Sequence, residues 1–387
     1  MSGKEPGREC PVCGHGGEAE LLHTQEFVLP SDHVLPEKQD IVVCAACGCV
    51  YVDADATQAT FDKYYAQMSK YEGGYADDAE MFSSRAAWIG EVLGAERPAV
   101  IDVGCGNGRL LLDLRDVGFD DLFALDPSAD CIRAIESEGI SGFVGSLFSV
   151  PTTRTFGALI LSGVLEHLWD VSGAMRAVDS MLSQDGYLFV FAPDASRYAE
   201  YDFAPYDYFN IEHVNHFDEV ALIDLGLLHG FEVVELRKTE IALGHVQQPV
   251  IHCAYRRGAR GRSGWTSHAA RAVQRYVELT GDRGETTAIR DLLRSDARVV
   301  VWGAGNYASR LLATSDLGGC NIVCFVDNDR HKQGTLVAGR PVMAPGHIAS
   351  LAEDVKVLVT AAVFRDEIVA EAKAMGLKNE VVVLDER

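Results

Sequence analysis

Residues 100–111 form a continuous pattern of strand, glycine-rich turn and helix start, Val-Ile-Asp-Val-Gly-Cys-Gly-Asn-Gly-Arg-Leu-Leu. Glycines at positions 104, 106 and 108 let the backbone turn sharply and approach a ligand closely. Asp126 follows roughly 20 positions later, at the end of a second apolar run, a separation that suits a carboxylate beside ribose hydroxyls. The pattern predicts a parallel α/β sheet with a nucleotide site at the carboxyl ends of its strands.

Two details of this motif favour S-adenosylmethionine (SAM) as the nucleotide, although NAD enzymes share the topology. Asp102 stands two residues before the first glycine, where its carboxylate can bind the methionine ammonium. The glycines also end as Gly-Asn-Gly and do not continue into a dinucleotide fingerprint. These residues resemble the cofactor motif of class I SAM-dependent methyltransferases. The alternative interpretation is a tight strand–helix turn that binds nothing.

The predicted cofactor site extends from this motif to the ends of the neighbouring strands. Ser146 and Leu147 lie where the third strand should end, and they are candidates to flank the adenine. The full set of predicted cofactor-binding residues is Asp102, Gly104, Cys105, Gly106, Asn107, Gly108, Asp126, Pro127, Ser146, Leu147, Ser162 and Gly163.

Strand and helix signals continue to alternate along the chain, which implies helices on both faces of the sheet. Residues 159–170 predict the fourth strand and the helix after it, and residues 186–193 resemble the fifth strand. Since the ends of strands one and four border the ligand cleft, His167 should lie beside the methyl donor. A histidine that packs against a helix is the alternative.

Size and charge limit the classes of partner. The chain has 387 residues, 48% of them hydrophobic, and a formal net charge of −23. This length allows two domains and a small module. The negative charge argues against nucleic acid and anionic membrane surfaces but is compatible with a small-molecule substrate. An apolar run long enough to span a membrane and a secretory signal are both absent from the sequence, so we expect a cytoplasmic protein. These features do not indicate an oligomeric state.

Two Cys-x-x-Cys-Gly motifs near the beginning of the chain predict a metal site. Their cysteines are Cys10, Cys13, Cys44 and Cys47. Four thiolates complete a tetrahedral zinc site with no open position, so we expect a structural Zn²⁺ that does no chemistry. Runs at residues 27–29 and 41–43 predict short strands between the motifs. Four unligated thiols are the alternative, and a redox pair is disfavoured because no thioredoxin-like unit surrounds either motif.

Tyrosines are dense between the cysteine module and the glycine motif. They often form a lid over the methionine end of SAM, and Tyr71 is the candidate to reach the reaction site; ordinary packing is the alternative. Farther along, the segment 206–217 is rich in titratable groups. Glu212 and His213 adjoin one another and His216 follows. A neutral imidazole with a carboxylate partner is a competent base near pH 7. The alternative is a loop satisfied by internal hydrogen bonds.

The last third of the chain contains a second glycine motif. Residues 256–298 predict a helical connector, followed by Gly303-Ala-Gly305 and, after another apolar run, Asp327. This motif is closer to a dinucleotide fingerprint than the first. Three interpretations stay open: a platform for the nucleotide of a substrate, a structural Rossmann-like unit, or a true NAD site.

The combination of paired cysteine motifs, SAM-type core, Glu-His-x-x-x-Phe segment and final Rossmann-like unit resembles nucleotide-sugar C-methyltransferases of deoxysugar pathways. The resemblance spans nearly the whole chain and includes Lys332-Gln-Gly. It implies that His213 removes the proton alpha to a 4-keto group, with Glu212 as its partner and His167 as a helper. The chain departs from the family at Asn210, where a tyrosine is usual, and Tyr208 lies two positions away.

The sequence therefore predicts an α/β protein with a class I SAM methyltransferase sheet. The expected divisions are a zinc module at 1–58, a methyltransferase core at 59–255, a connector at 256–298 and a Rossmann-like domain at 299–387. The expected reaction is C-methylation of a nucleotide-linked keto-deoxysugar through an enolate. O- or N-methylation of a sugar or natural product, a SAM-binding scaffold without turnover, and a bifunctional enzyme with an NAD site are the alternatives.

Overall fold

The computed structural model describes residues 3–31, 33–67, 79–201, 205–243, 246–281 and 286–384. The helices are α1 (Gln58–Gln67), α2 (Ala79–Leu93), α3 (Arg109–Asp116), α4 (Ala129–Ser137), α5 (Val171–Met181), α6 (Glu219–His229), α7 (Ala269–Gly281), α8 (Thr286–Ser295), α9 (Asn306–Thr314) and α10 (Arg365–Ala374). The strands are β1 (Gly3–Lys4), β2 (Ala19–Glu26), β3 (Lys38–Cys44), β4 (Val50–Asp53), β5 (Val100–Val103), β6 (Leu122–Asp126), β7 (Ser141–Val144), β8 (Phe156–Ser162), β9 (Leu182–Pro193), β10 (Asn215–His216), β11 (Phe231–Leu243), β12 (Val246–Arg257), β13 (Arg298–Trp302), β14 (Asn321–Val326), β15 (Leu336–Val337), β16 (Arg340–Met343), β17 (Lys356–Val359) and β18 (Val381–Val383).

The central sheet has seven strands in the order β11-β12-β9-β8-β5-β6-β7. The strands β5 to β9 pair in parallel, while β12 is antiparallel to both β9 and β11. Strand order reverses between β5 and β8, so a ligand cleft is expected beyond the carboxyl ends of these two strands. This architecture confirms the predicted α/β fold with a largely parallel sheet.

Alternate residues of the inner strands belong to two separate hydrophobic cores. On β8, Leu159 and Leu161 join one core, whereas Ala158 and Ile160 join the other. Successive side chains of a strand point to opposite faces, so both faces of this sheet are covered. Because both faces are packed, β5 and β8 are held firmly in the sheet, and the loops that follow them start from fixed positions.

A second sheet is formed by the N-terminal strands in the order β1-β2-β3-β4-β10, with all neighbours antiparallel. Its last strand comes from a distant part of the chain, because Asn215 pairs with Tyr51 and His216 pairs with Val50. The run at residues 27–29, predicted as a strand, follows β2 directly without belonging to it. The acceptor-side segment predicted around Glu212 is thus tied to the N-terminal module.

The third sheet has the order β15-β16-β14-β13-β17-β18 and is parallel except for the β15–β16 pair. It also contacts the N-terminal module. The amide of Val28 donates to the carbonyl of Ser309 at 3.0 Å, and the Ser309 hydroxyl donates to the carbonyl of Val28 at 2.7 Å. Among the described residues, none of the helices combines the length and apolarity that a membrane span requires.

Candidate active site

The glycine turn after β5 lies at the reversal point of the central sheet. Gly104, Gly106 and Gly108 have φ angles of 71°, 53° and 75°, a region that favours glycine. A Cβ on Gly104 would lie 2.9 Å from Val164 Cγ2, and one on Gly108 would lie 2.3 Å from Ile135 Cδ1. The turn is therefore closed to side chains on its inner side, as a cofactor cradle requires.

Two buried carboxyls flank this turn. Asp126 accepts hydrogen bonds from the amides of Gly106 at 2.9 Å and Ser128 at 2.8 Å, which partly offset the rise in its pKa caused by burial. Asp102 is only 2% exposed, and its Oδ1 has no hydrogen-bond partner among the described residues. Burial and then the Asp126 charge raise the pKa of Asp102 to about 8, although Arg85 opposes the shift. An ammonium group would satisfy the orphaned oxygen, so Asp102 fits the predicted cofactor.

The remaining predicted cofactor residues fall into two groups. Asn107, Pro127, Ser146, Ser162 and Gly163 are at least partly accessible along the carboxyl ends of the strands. Cys105 and Leu147 are buried, and both belong to hydrophobic cores. The side chains of Cys105 and Leu147 therefore pack in the hydrophobic cores.

The structure brings His167 and His213 together at the same edge of the sheet. Their ring centroids are 4.8 Å apart in an edge-to-face arrangement, and both residues are partly accessible. The expected helix after strand four begins only at Val171, so His167 lies on a short 3₁₀ turn, Leu165–His167. The predicted helical position of His167 is therefore wrong. The cause is local: Gly163 has a φ of 70°, and this break separates β8 from the helix.

Two tyrosines of α1 contact His167 and Glu212, and the sequence pattern had not singled them out for the site. Tyr65 Oη lies 2.8 Å from His167 Nδ1, and Tyr64 Oη donates to Glu212 Oε1 at 2.8 Å. His167 Nδ1 also lies 3.2 Å from the carbonyl oxygen of Glu212. Nδ1 can accept a hydrogen bond from the Tyr65 hydroxyl in one tautomer, or donate to the Glu212 carbonyl in the other. Tyr71 lies outside the described residues.

Glu166 is a further buried acid that sequence reasoning left unassigned. It is 3% exposed, its Oε2 has no hydrogen-bond partner among the described residues, and burial raises its pKa to about 7. The possible ligand atoms of Glu166, His167 and His213 lie within 4.8 Å of one another. These three side chains could hold a divalent cation, but a bound cation would occupy the lone pair that a histidine base needs.

Hydrogen bonds join the two loops that carry the histidines. Arg8, which is buried, donates to the carbonyl of Trp169 at 2.7 Å, the carbonyl of Val214 at 3.0 Å and Asn215 Oδ1 at 2.8 Å. Its guanidinium also lies 4.2 Å from the centre of the Trp169 ring. The amide of Val214 donates to the carbonyl of Glu166 at 2.8 Å. These hydrogen bonds hold the loop of His167 against the loop of His213 and so limit the distance between the two imidazoles.

Asn210 shapes the turn that carries Glu212 and His213. Asn210 Oδ1 accepts hydrogen bonds from the amides of Glu212 and His213, both at 3.0 Å, and so shapes the turn that presents them. Tyr208 stacks on Tyr198 with centroids 3.8 Å apart and is 3% exposed. His216 is fully buried in β10, where burial lowers its pKa to about 3. It serves packing and stays neutral.

The four cysteines of the N-terminal motifs converge as predicted. Cys10 and Cys47 have their Sγ atoms 3.6 Å apart, as do Cys13 and Cys44, and all four Sγ atoms lie within 4.8 Å. Tetrahedral zinc with Zn–S bonds of about 2.3 Å places its sulfurs roughly 3.8 Å apart. The donor set and its spacing fit Zn²⁺.

The second glycine motif has an acid in the corresponding place. Asp327 accepts from the amides of Ala304 at 2.8 Å and Asp329 at 2.9 Å, as Asp126 does in the central domain. Here, however, Lys332 Nζ lies 3.1 Å from Asp327 Oδ2. An ammonium group therefore competes for the carboxylate that an NAD ribose would need.

Comparison with known proteins identifies two regions of the chain. Residues 78–236 match the family model of a methyltransferase domain, and residues 295–383 match a model described as C2185-like, N-terminal. An uncharacterized methyltransferase from Staphylococcus carnosus (strain TM300) is 28% identical over 115 residues, which are 29% of this chain and 55% of that protein. The match thus spans little more than half the length of this relative.

Several solved structures are similar to part of the chain. The 1,6-didemethyltoxoflavin-N1-methyltransferase of Burkholderia thailandensis, with bound 1,6-didemethyltoxoflavin and S-adenosylhomocysteine, has a TM-score of 0.41 and 14% identity, covering 56% of this chain and 97% of that one. The magnesium protoporphyrin IX methyltransferase of Synechocystis PCC 6803, with bound SAM, has a TM-score of 0.34 and 15% identity, covering 52% and 86% respectively.

Proposed function

We propose that this chain, whose residues 78–236 form a class I SAM-dependent methyltransferase domain, is an enzyme that methylates a small molecule beside His167 and His213. We further propose that the acceptor is a nucleotide-linked keto-deoxysugar, methylated on carbon. Its methyl donor is SAM, and a structural Zn²⁺ is held by the four clustered cysteines.

One observation carries this proposal. The glycine turn follows β5, His167 follows the adjacent strand β8, and the ring of His213 lies 4.8 Å from that of His167. The turn offers a cradle and an unsatisfied carboxylate oxygen for the donor. The imidazoles supply groups that can accept a proton. Donor and base would thus be held on neighbouring loops, which is the positioning that methyl transfer needs.

SAM supplies an electrophilic methyl group on a sulfonium. In the proposed reaction, His213 removes the proton from the carbon next to the keto group, and the electron pair moves onto the keto oxygen as an enolate. The carbon then forms a bond to the methyl group while the carbon–sulfur bond breaks. The imidazolium afterwards releases its proton to solvent. Glu212, bonded to Tyr64, is proposed to stabilise the charged imidazole, and His167 to orient the acceptor.

The nucleotide and sugar parts rest on the family resemblance and on the second glycine motif. A platform role for the C-terminal sheet is favoured over NAD binding, because Lys332 already contacts Asp327. We also propose the divisions 1–58, 59–255, 256–298 and 299–387. In this scheme β10 belongs to the core in sequence but to the zinc module in space.

The test is an assay with candidate nucleotide-linked keto-sugars in deuterated water. Without SAM, wild-type protein should place deuterium at the carbon next to the carbonyl; with SAM it should release S-adenosylhomocysteine. Release without deuterium incorporation would favour O- or N-methylation, and a failure of both readouts across the panel would favour a scaffold. Turnover that needs added Mg²⁺ or Mn²⁺ after chelation would favour a cation over a histidine base.

A further inference from the structure

We propose that Glu166, His167 and His213 form a binding site for a divalent transition-metal cation, separate from the cysteine cluster, and that this cation inhibits the enzyme. The inhibition rests on the proposed role of His213 as the base, whereas the site itself rests on geometry. It would be a second metal centre of the chain, built on the loop that follows β8 and the loop that precedes β10.

Glu166 is a buried acid with an unsatisfied oxygen. It is 3% exposed, and its Oε2 has no hydrogen-bond partner among the described residues. Arg85 acts on this carboxyl electrostatically, without a hydrogen bond to Oε2. Buried charges in proteins are usually paired or bound to a metal, because an uncompensated charge is costly to remove from water. A cation beside Oε2 would compensate the carboxylate of Glu166.

Two imidazoles complete the set of ligands. One possible ligand atom from each of Glu166, His167 and His213 lies within 4.8 Å of the other two. Zinc-type cations bind nitrogen and carboxylate oxygen at about 2.1 Å, which places tetrahedral ligands roughly 3.4 Å apart. Each ligand atom would therefore move by less than about 1 Å on binding. The cation displaces a proton or a hydrogen-bond partner from each imidazole nitrogen that it binds, so the site does not require these nitrogens to lack a partner.

Hydrogen bonds around the three side chains hold them in position. His167 Nδ1 lies 2.8 Å from Tyr65 Oη and 3.2 Å from the carbonyl oxygen of Glu212. Histidine ligands commonly donate their second ring N–H to such an oxygen, so His167 would bind the cation through Nε2. The amide of Val214 donates to the carbonyl of Glu166 at 2.8 Å and so joins the two loops that carry the ligands.

The donor atoms select the class of cation. Two imidazole nitrogens and one carboxylate oxygen suit Zn²⁺, Co²⁺, Ni²⁺ and Fe²⁺, whereas Mg²⁺ and Ca²⁺ prefer oxygen ligands. Three protein ligands also leave a position for water, unlike the four thiolates of the cysteine cluster. A neutral imidazole has one nitrogen lone pair, and a cation bound to His213 takes the lone pair that would accept the proton. The cation-bound enzyme should therefore not turn over.

Titration of the full-length protein with Co²⁺ tests the site without cofactor or acceptor. Protein loaded with one equivalent of Zn²⁺ should bind about one further Co²⁺ per chain by calorimetry, and its visible spectrum should lack the intense thiolate-to-cobalt band of a cysteine site. Glu166→Gln should weaken Co²⁺ binding about tenfold or more, since an amide oxygen is a poorer ligand than a carboxylate. Glu136→Gln, at an exposed glutamate on α4, is the matched control and should bind Co²⁺ as wild type does.

Co²⁺ should also inhibit turnover in parallel with its binding, and Glu166→Gln should need about tenfold more Co²⁺ for the same fractional inhibition. No Co²⁺ binding by wild type, or equal binding by Glu166→Gln, would overturn the site. Turnover that bound Co²⁺ leaves unchanged or raises would overturn the inhibition. If Glu166→Gln does not fold, His167→Gln must show the same loss of Co²⁺ binding, or the proposal fails. Wild-type protein without turnover on any acceptor would instead refute the proposed function, and the Co²⁺ titration would still decide the site.

Discussion

At the scale of single residues, two buried carboxyls near the first glycine turn are costly to ionise. Asp102 and Glu166 have pKa values raised mainly by burial, to about 8 and about 7. A carboxyl whose pKa is raised in the folded state stabilises the fold fully only below its unfolded pKa. That contribution is lost as the pH rises through the folded pKa. The ligand-free protein should therefore lose stability from about pH 4 to about pH 8.

Asp102→Asn should remove the part of this loss that Asp102 causes. At pH 8.5 the ligand-free variant should be more stable than wild type by about 1–3 kcal/mol, because it no longer carries an ionised carboxylate in a buried site. The difference should shrink on acidification and disappear near pH 4. Thermal unfolding at both pH values measures it. A variant less stable than wild type at pH 8.5 would contradict the assigned burial cost.

His213→Gln should lower kcat by about 10²–10⁴-fold, because it removes the proposed base. S-adenosylhomocysteine affinity should stay within about twofold, since His213 lies on the acceptor side. His268→Gln, at an exposed histidine, is the control and should keep wild-type turnover. Lost cofactor affinity with intact single-turnover chemistry would refute the base role.

At the scale of elements, the proposed active site depends on two loops that hydrogen bonds join side by side. Asn215 Nδ2 donates to the carbonyls of Leu165 at 2.8 Å and Leu168 at 2.7 Å, while Arg8 contacts both loops. These bonds hold the turn that carries His167 against the segment that carries His213. They connect catalytic geometry to backbone hydrogen bonding remote from the reacting atoms.

Asn215→Ala should leave two carbonyls without this donor and lower stability by about 1–3 kcal/mol. It should also lower kcat more than it lowers cofactor affinity, because the histidine pair would separate. Urea unfolding and steady-state kinetics measure the two effects. Asn328→Ala, at an exposed asparagine bonded to Glu371, is the control. Unchanged kcat in a destabilised Asn215→Ala variant would show that the hydrogen bonds of Asn215 do not position the two histidines.

Sequence reasoning succeeded where the signal was local. The positions of Asp102 and Asp126 beside the glycine turn could be predicted, because these residues adjoin the turn or end the next strand. The cysteine cluster could be predicted from the spacing within each Cys-x-x-Cys motif. Tyr64 and Arg85 could not be placed, because their partners Glu212 and Ser162 lie 148 and 77 positions away. Only the tertiary fold sets such pairings. The 3₁₀ turn that carries His167 was predicted as helix, because the sequence pattern does not show the break at Gly163.

At the scale of the whole molecule, the N-terminal sheet includes β10 and is therefore continuous with the segment that carries Glu212 and His213. The two cysteine motifs meet where β3 ends, at Cys44. Zinc held by these four cysteines would stabilise the sheet to which β10, two residues after His213, belongs. The C-terminal sheet contacts the same module through Val28 and Ser309.

Cys13→Ser should reduce bound zinc from one per chain to well below one and lower the thermal midpoint of unfolding. Turnover should fall more than S-adenosylhomocysteine affinity, since β10 would lose its support. Elemental analysis gives the zinc content, and Cys49→Ala, outside the four-sulfur cluster, should retain one zinc. Full zinc content in Cys13→Ser would contradict the predicted ligand set.

The most direct test is an experimental structure of the complex with S-adenosylhomocysteine. We predict electron density for this ligand at the turn of residues 104–108, with its amino-acid end against Asp102 and its sulfur facing His167 and His213. Density for the ligand elsewhere, or a His213 side chain turned away from the cleft, would contradict the proposed site.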